Sequence, residues 1–108
     1  MVTEKLFVGE VLAAGETSVG YRVDLGQIGA SGDFGLQVTS SGPVRLYYTA
    51  SAEEAEAAVA DGGVLCDHPG GGSVMYWPVI APCSSIWVYA AAPAGGAGAT
   101  VSATLNIW

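Results

Sequence analysis

The stretch that decides the fold is Thr100-Val101-Ser102-Ala103-Thr104-Leu105-Asn106-Ile107. Val101, Ala103, Leu105 and Ile107 alternate there with Thr100, Ser102, Thr104 and Asn106. A period of two sends successive side chains to opposite faces of an extended chain, so the segment reads as a strand with one apolar and one polar face. An antiparallel sheet with one face on a core and the other in water requires that alternation. The same period recurs upstream. Phe34, Leu36 and Val38 alternate with Gly35, Gln37 and Thr39, and Val44, Leu46, Tyr48 and Ala50 with Arg45, Tyr47 and Thr49. Ile86, Val88 and Ala90 alternate with Trp87 and Tyr89. Across 17–25, Val19, Tyr21, Val23 and Leu25 share a face opposite Ser18, Arg22 and Asp24. Two further runs, 4–12 and 74–80, are apolar but less regular, and Pro78 puts the second at a sheet edge, a bulge or a strand end.

Turn residues separate these runs. Gly15, Gly26, Gly29, Gly32-Asp33, Ser41-Gly42-Pro43, Gly70-Gly71-Gly72 and Gly95-Gly96 fall between them. Short strands at this spacing read as an all-β antiparallel β-sandwich, jelly-roll-like, with about eight strands as that class usually has. Residues 93–99 read as a hairpin loop, and 69–73 as the most mobile loop, since three successive glycines leave the backbone almost unrestricted. One short helix is expected over 51–60. Ser51 and Glu54 have capping-box spacing, the alanines favour helix, and Asp61-Gly62-Gly63 stops it. At two to three turns it is marginal alone and must lean on the sheet, crossing one end of the sandwich.

Length and charge bound the function. The chain of 108 residues reads as a single domain, 1–108, long enough for a real core. Ten acids against three Lys and Arg give a net charge of −7. Lys5, Arg22 and Arg45 are too few cations to hold a nucleic-acid backbone, so no nucleic-acid partner is expected. No apolar run approaches the roughly 18 to 20 residues that span a bilayer, and no membrane association is expected.

Few residues are equipped for chemistry. Cys66, Asp67 and His68 are adjacent, but a thiol nucleophile needs a base distant in sequence and a third group to orient it. A zinc site needs three or four ligands at recognisable spacing, and Cys66, His68 and Cys83 form no such pattern. The plain reading is a loop histidine beside a half-buried strand-end cysteine. Cys66 and Cys83 either pair in a disulfide or stay free; without a leader the expectation is free thiols. Gly70-Gly71-Gly72-Ser73 lacks the following Lys and the strand-then-helix setting of a phosphate loop. Glu53, Glu54 and Glu56 read as a solvated helix start; a glycosidase needs two carboxyls opposed across a cleft, and no acid sits in an aromatic-rich stretch. Catalytic residues, metal and cofactors are therefore expected to be none, and the protein is expected not to be an enzyme.

The informative anomaly is aromatic. If Val44, Leu46 and Tyr48 point inward, Tyr47 points out; if Ile86 and Val88 point inward, Trp87 and Tyr89 point out. Trp108 shares the polar face of its strand, and Trp77 lies beside Pro78. Large rings on wet faces need a cover. Either a loop or the short helix provides it, or Tyr47, Trp87, Tyr89 and Trp108 are a contact surface for another protein. Stacking on a sugar is a further reading, disfavoured because Gln27, Gln37 and Asn106 are the only amides.

Four segments carry a family resemblance. They are Ser31-Gly32-Asp33-Phe34-Gly35-Leu36-Gln37-Val38, the run from Gly42-Pro43-Val44 through Tyr47-Tyr48-Thr49-Ala50-Ser51, the run from Pro78-Val79-Ile80 through Ile86-Trp87-Val88, and Val101 to Ile107. In this order, over about a third of the chain, they resemble small β-sandwich proteins from the structural gene clusters of tailed bacteriophages and prophages. The chain departs from that pattern after Ser51, where 51–60 replaces a short turn. The resemblance implies a non-enzymatic virion component made in the bacterial cytoplasm, head-associated and decoration-like. Its expected partners are itself, as a homo-oligomer, and other virion proteins; a carbohydrate-binding module for surface adhesion is the alternative.

Overall fold

The computed structural model describes residues 1–28, 32–50, 63–80 and 83–108. Among these described residues eight strands run in chain order: β1 Val2–Leu12, β2 Tyr21–Val23, β3 Phe34–Ser40, β4 Val44–Thr49, β5 Gly63–His68, β6 Gly72–Tyr76, β7 Ile86–Ala91 and β8 Ala99–Ile107. One helical turn, α1 Leu25–Ile28, follows β2. The strands form two antiparallel four-stranded sheets, ordered β1-β8-β3-β6 and β2-β7-β4-β5. The first strand pairs with the last, the second with the seventh, the third with the sixth and the fourth with the fifth. That is a long antiparallel hairpin rolled up, and the β3·β8 and β4·β7 ladders close it into two layers. The jelly-roll expectation is met at the level of strand order.

The alternation read from the sequence becomes the core. Leu36, Val38, Leu46, Ile86, Val88, Ala90, Val101 and Leu105 are fully buried between the sheets. Each buried valine, leucine or isoleucine among them contributes about 1.5–3 kcal/mol by leaving water. The irregular run at the N-terminus has a local cause. Register shifts between Lys5 and Phe7 and between Phe7 and Glu10 interrupt the β1·β8 ladder, so the neighbours Leu6 and Phe7 are both buried. A bulge of this kind breaks strict period two.

Several expectations need correction. Residues 17–25 are not one strand: β2 holds only Tyr21–Val23, Val19 is exposed, and Leu25 opens α1. Residues 93–99 are not a hairpin loop, because β7 and β8 lie in different sheets and the segment crosses between them. The strand expected at 74–80 ends at Tyr76, before Pro78, and is a sheet edge. β5 was not legible as a run, since Cys66-Asp67-His68 carries little strand preference and a register shift opposite Leu46 and Tyr47 breaks its pattern. The helix expected over 51–60 lies outside the described residues.

The roll gives the molecule two unlike ends. At one end the β1–β2, β3–β4, β5–β6 and β7–β8 connections are tied together. Gly15 N–H donates to Ala92 O, Ser41 N–H to Thr100 O and Gly71 N–H to Ser40 O, at 2.8–3.1 Å. The triple glycine is thus an anchored crossing between sheets. Gly70 and Gly71 adopt φ of 90° and 78°, which only glycine takes without strain. At the other end lie the start of β3, the end of β6 and the last residue, Trp108.

Candidate functional site

The expected aromatic patch does not project from the surface. Tyr47 is 4% exposed and Tyr89 2%, and Trp87 is half-buried. The β4·β7 register sets Tyr47 opposite Tyr89, and their rings stack with centroids 6.0 Å apart at 21°. On the far side of Tyr89 lies Gly20, one step before the Tyr21–Val88 pair. A Cβ at Gly20 would come within 2.9 Å of the Tyr89 ring and 3.0 Å of Trp87. The Tyr89 ring therefore reaches across the outer face of the β2-β7-β4-β5 sheet to Gly20 on one side and stacks on Tyr47 on the other. Strand alternation sends a side chain outward, but it does not decide whether a large ring stands or lies. The legible signal was Gly20 itself, since a glycine inside an alternating run marks a close approach.

The exposed aromatics belong to the other sheet. Trp77 is 70% exposed and Trp108 44%. In the β3·β8 ladder Gly35 faces Asn106, and Trp77 follows β6 directly, beside Gly35. A Cβ at Gly35 would meet the benzo edge of Trp77 at 3.0 Å and that of Trp108 at 3.4 Å. Both indoles thus rest by one edge on a single glycine. Trp108 N–H donates to Asp33 O at 3.0 Å, which ties the last residue to the start of β3. Asp33, Phe34, Trp77, Pro78, Val79 and Trp108 line a groove of about 630 Å³. Asn106 continues the same outer face, its Oδ1 accepting from the Thr3 hydroxyl at 3.1 Å. The groove has apolar walls with one carboxylate at its lip. Of the four residues expected at a contact site, only Trp108 lies here, and its companion is Trp77.

A second recess, of about 500 Å³, occupies the opposite end. Pro43, Pro69 and Pro93, one from each of three connections, edge it, and the Arg45–Asp67 pair lies across it. Arg45 Nε donates to Asp67 Oδ1 at 2.6 Å, and this bond raises the guanidinium pKa further above its ordinary value. Both partners are well exposed, so the pair contributes little stability.

Cys66, Asp67 and His68 are separated by their own strand. In β5, Cys66 and His68 turn inward while Asp67 turns out to Arg45. The histidine expected in a loop is instead a buried strand residue, 2% exposed. Its Nδ1 accepts the Gly70 N–H at 2.8 Å, and its ring meets Tyr76 edge-on with centroids 6.2 Å apart. Both cysteines are free thiols. Burial pushes the Cys66 thiol up to about 11, against a small lowering by a backbone hydrogen bond at Leu46, and burial raises Cys83 as well. The thiolate is the reactive form, so Cys66 is poorly suited to act as a nucleophile. In a Cys83→Ser variant at pH 8, a thiol reagent should label Cys66 about a hundredfold more slowly than in the urea-unfolded chain. Equal rates in the two states would contradict this.

Among the described residues no three His, Cys, Asp or Glu side chains gather as metal ligands, and no helix is long and apolar enough to cross a membrane. In comparisons with known proteins the chain matches no family model and no curated protein, so the groove between Trp77 and Trp108 is read from its own geometry.

Proposed function

We propose that this chain is a non-enzymatic structural protein of a phage or prophage virion, a head-decoration module that works through protein–protein contacts in many copies. The observation that carries the reading is the apolar groove between the exposed indoles of Trp77 and Trp108. Exposed tryptophans are rare on a surface with no partner and are enriched among the residues that dominate protein interfaces. The jelly-roll strand order and the resemblance of the strand segments to small phage structural proteins support the same reading. A net charge of −7 disfavours adhesion to packaged DNA and suits an exterior position. Copies arrayed on a lattice reinforce weak single contacts through avidity.

The decisive experiment is co-sedimentation with head particles from the genome that encodes the chain. Wild-type protein should sediment with the particles. Trp77→Ala and Trp108→Ala should each weaken binding by about 30-fold or more, as loss of a central interface tryptophan usually does, while the melting temperature stays put. Failure of wild-type protein to bind overturns the reading.

A carbohydrate-binding module is the second reading, favoured by one arrangement. The Asp33 carboxylate and the Asn106 amide flank the two indoles, so a sugar would find ring faces and polar partners in one place. Glycan-array binding that free sugar competes away, and that Trp77→Ala abolishes, would move the assignment there.

A further inference from the structure

We propose that β6 is the seam of a homodimer, in which the open edges of two copies pair antiparallel about a twofold axis and join two β1-β8-β3-β6 sheets into one of eight strands. The inference goes beyond the particle-docking reading above and gives a surface to the homo-oligomer that the resemblance implies. An edge strand leaves a row of N–H and C=O groups unpaired, and proteins protect such edges with charges, prolines, bulges or shortness. Three of the four edges here are protected. β1 carries Glu4, Lys5 and Glu10 and two register shifts. β2 is three residues long and contains Arg22. β5 has a register shift and carries Asp67, held by Arg45. β6 has none of these devices. It pairs with β3 in unbroken register, its residues Gly72-Ser73-Val74-Met75-Tyr76 include no charge and no proline, and Val74 and Met75 are 39% and 44% exposed.

Charge and shape make a second copy the fitting partner. Residues 69–80 contain no charged side chain, although the whole chain carries −7. A contact along this ribbon brings none of its own side chains' charge into the seam, whereas the other three edge strands each carry charged residues. An antiparallel pair centred on Val74 is self-complementary, with Val74 against Val74 and the long Met75 against the small Ser73.

Sedimentation equilibrium of the full chain tests the seam separately from particle binding. At about 100 µM, wild-type protein should have twice the 10.9 kDa chain mass. Val74→Asp or Val74→Lys, each placing like charges at the axis, should raise the dimer Kd about a hundredfold and give native-like monomers by circular dichroism. Mixing the two variants should restore the dimer, because opposite charges then meet. Val8→Lys, on the exposed face of β1, should leave the dimer intact. A monomeric wild type, dimers that persist in either Val74 variant, or a mixture that stays monomeric would overturn the proposal. Particle binding by a monomeric wild type would leave the docking reading standing while removing this one.

Discussion

Leu36→Ala is expected to lower the unfolding free energy by about 3–5 kcal/mol, the upper range for a truncated core leucine. Leu36 is completely buried and sits mid-ladder, with Tyr76 of β6 on one side and Leu105 of β8 on the other. It faces the second sheet, and strands on both sides fix the backbone around it, so the surroundings have little freedom to close on the gap. A domain of this size has only about 5–15 kcal/mol in hand, so the variant gives up roughly a fifth or more of its stability. The melting temperature should fall by roughly 15–20 °C. Urea unfolding with an unchanged m-value is the measurement, and a loss below about 1 kcal/mol would mean that the two sheets do not pack at this point as described.

Gly70→Ala should cost about 3 kcal/mol or more, by a different route. Gly70 has φ of 90°, where an L side chain adds about 1–2 kcal/mol of strain. An added Cβ would also lie 2.5 Å from the carbonyl carbon of Gly42 and 2.7 Å from its Cα. Those are backbone atoms, unable to swing aside, so the β5–β6 crossing would have to lift from the β3–β4 turn. Gly71→Ala is the internal control. Its φ of 78° imposes similar strain, but nothing lies within 4 Å of the new methyl group. The Gly71 variant should therefore lose only the strain part. Equal losses at the two positions would show that the close approach to Gly42 contributes nothing.

How much of the molecule was legible varies with the kind of signal. Local alternation identified β3, β4, β7 and β8 almost to their ends, because a side chain's face follows from its parity along an extended strand. Pro78 points to a sheet edge, a bulge or a strand end, since proline has no N–H for a ladder, and β6 is an edge strand that stops at Tyr76. The candidate site was read less well. Trp108 was identified as exposed, whereas Tyr47 and Tyr89, on equally outward positions, are covered. Parity says which way the bond to Cβ points. It does not say what stands in the neighbouring row, and here that row holds Gly20, whose position beside Tyr89 exists only once β2 pairs with β7. The place of Trp77 is not legible in sequence for the complementary reason: its groove is assembled from the start of β3, the end of β6 and the C-terminal residue, segments that the roll alone brings together.

By itself, the amino-acid order determined that this chain is all-β, where most strands begin and end, which side chains face the core, and that its surface is acidic and almost without lysine. Those properties depend on neighbours one or two positions away and on a simple count of charges. Tertiary structure alone decided which glycine lies under which ring, which aromatics reach solvent, that Cys66 and His68 part company with Asp67 across a strand, and which strands are the edges of the two sheets among the described residues. Each of these is a relation between residues that meet only after the sheets have paired and packed.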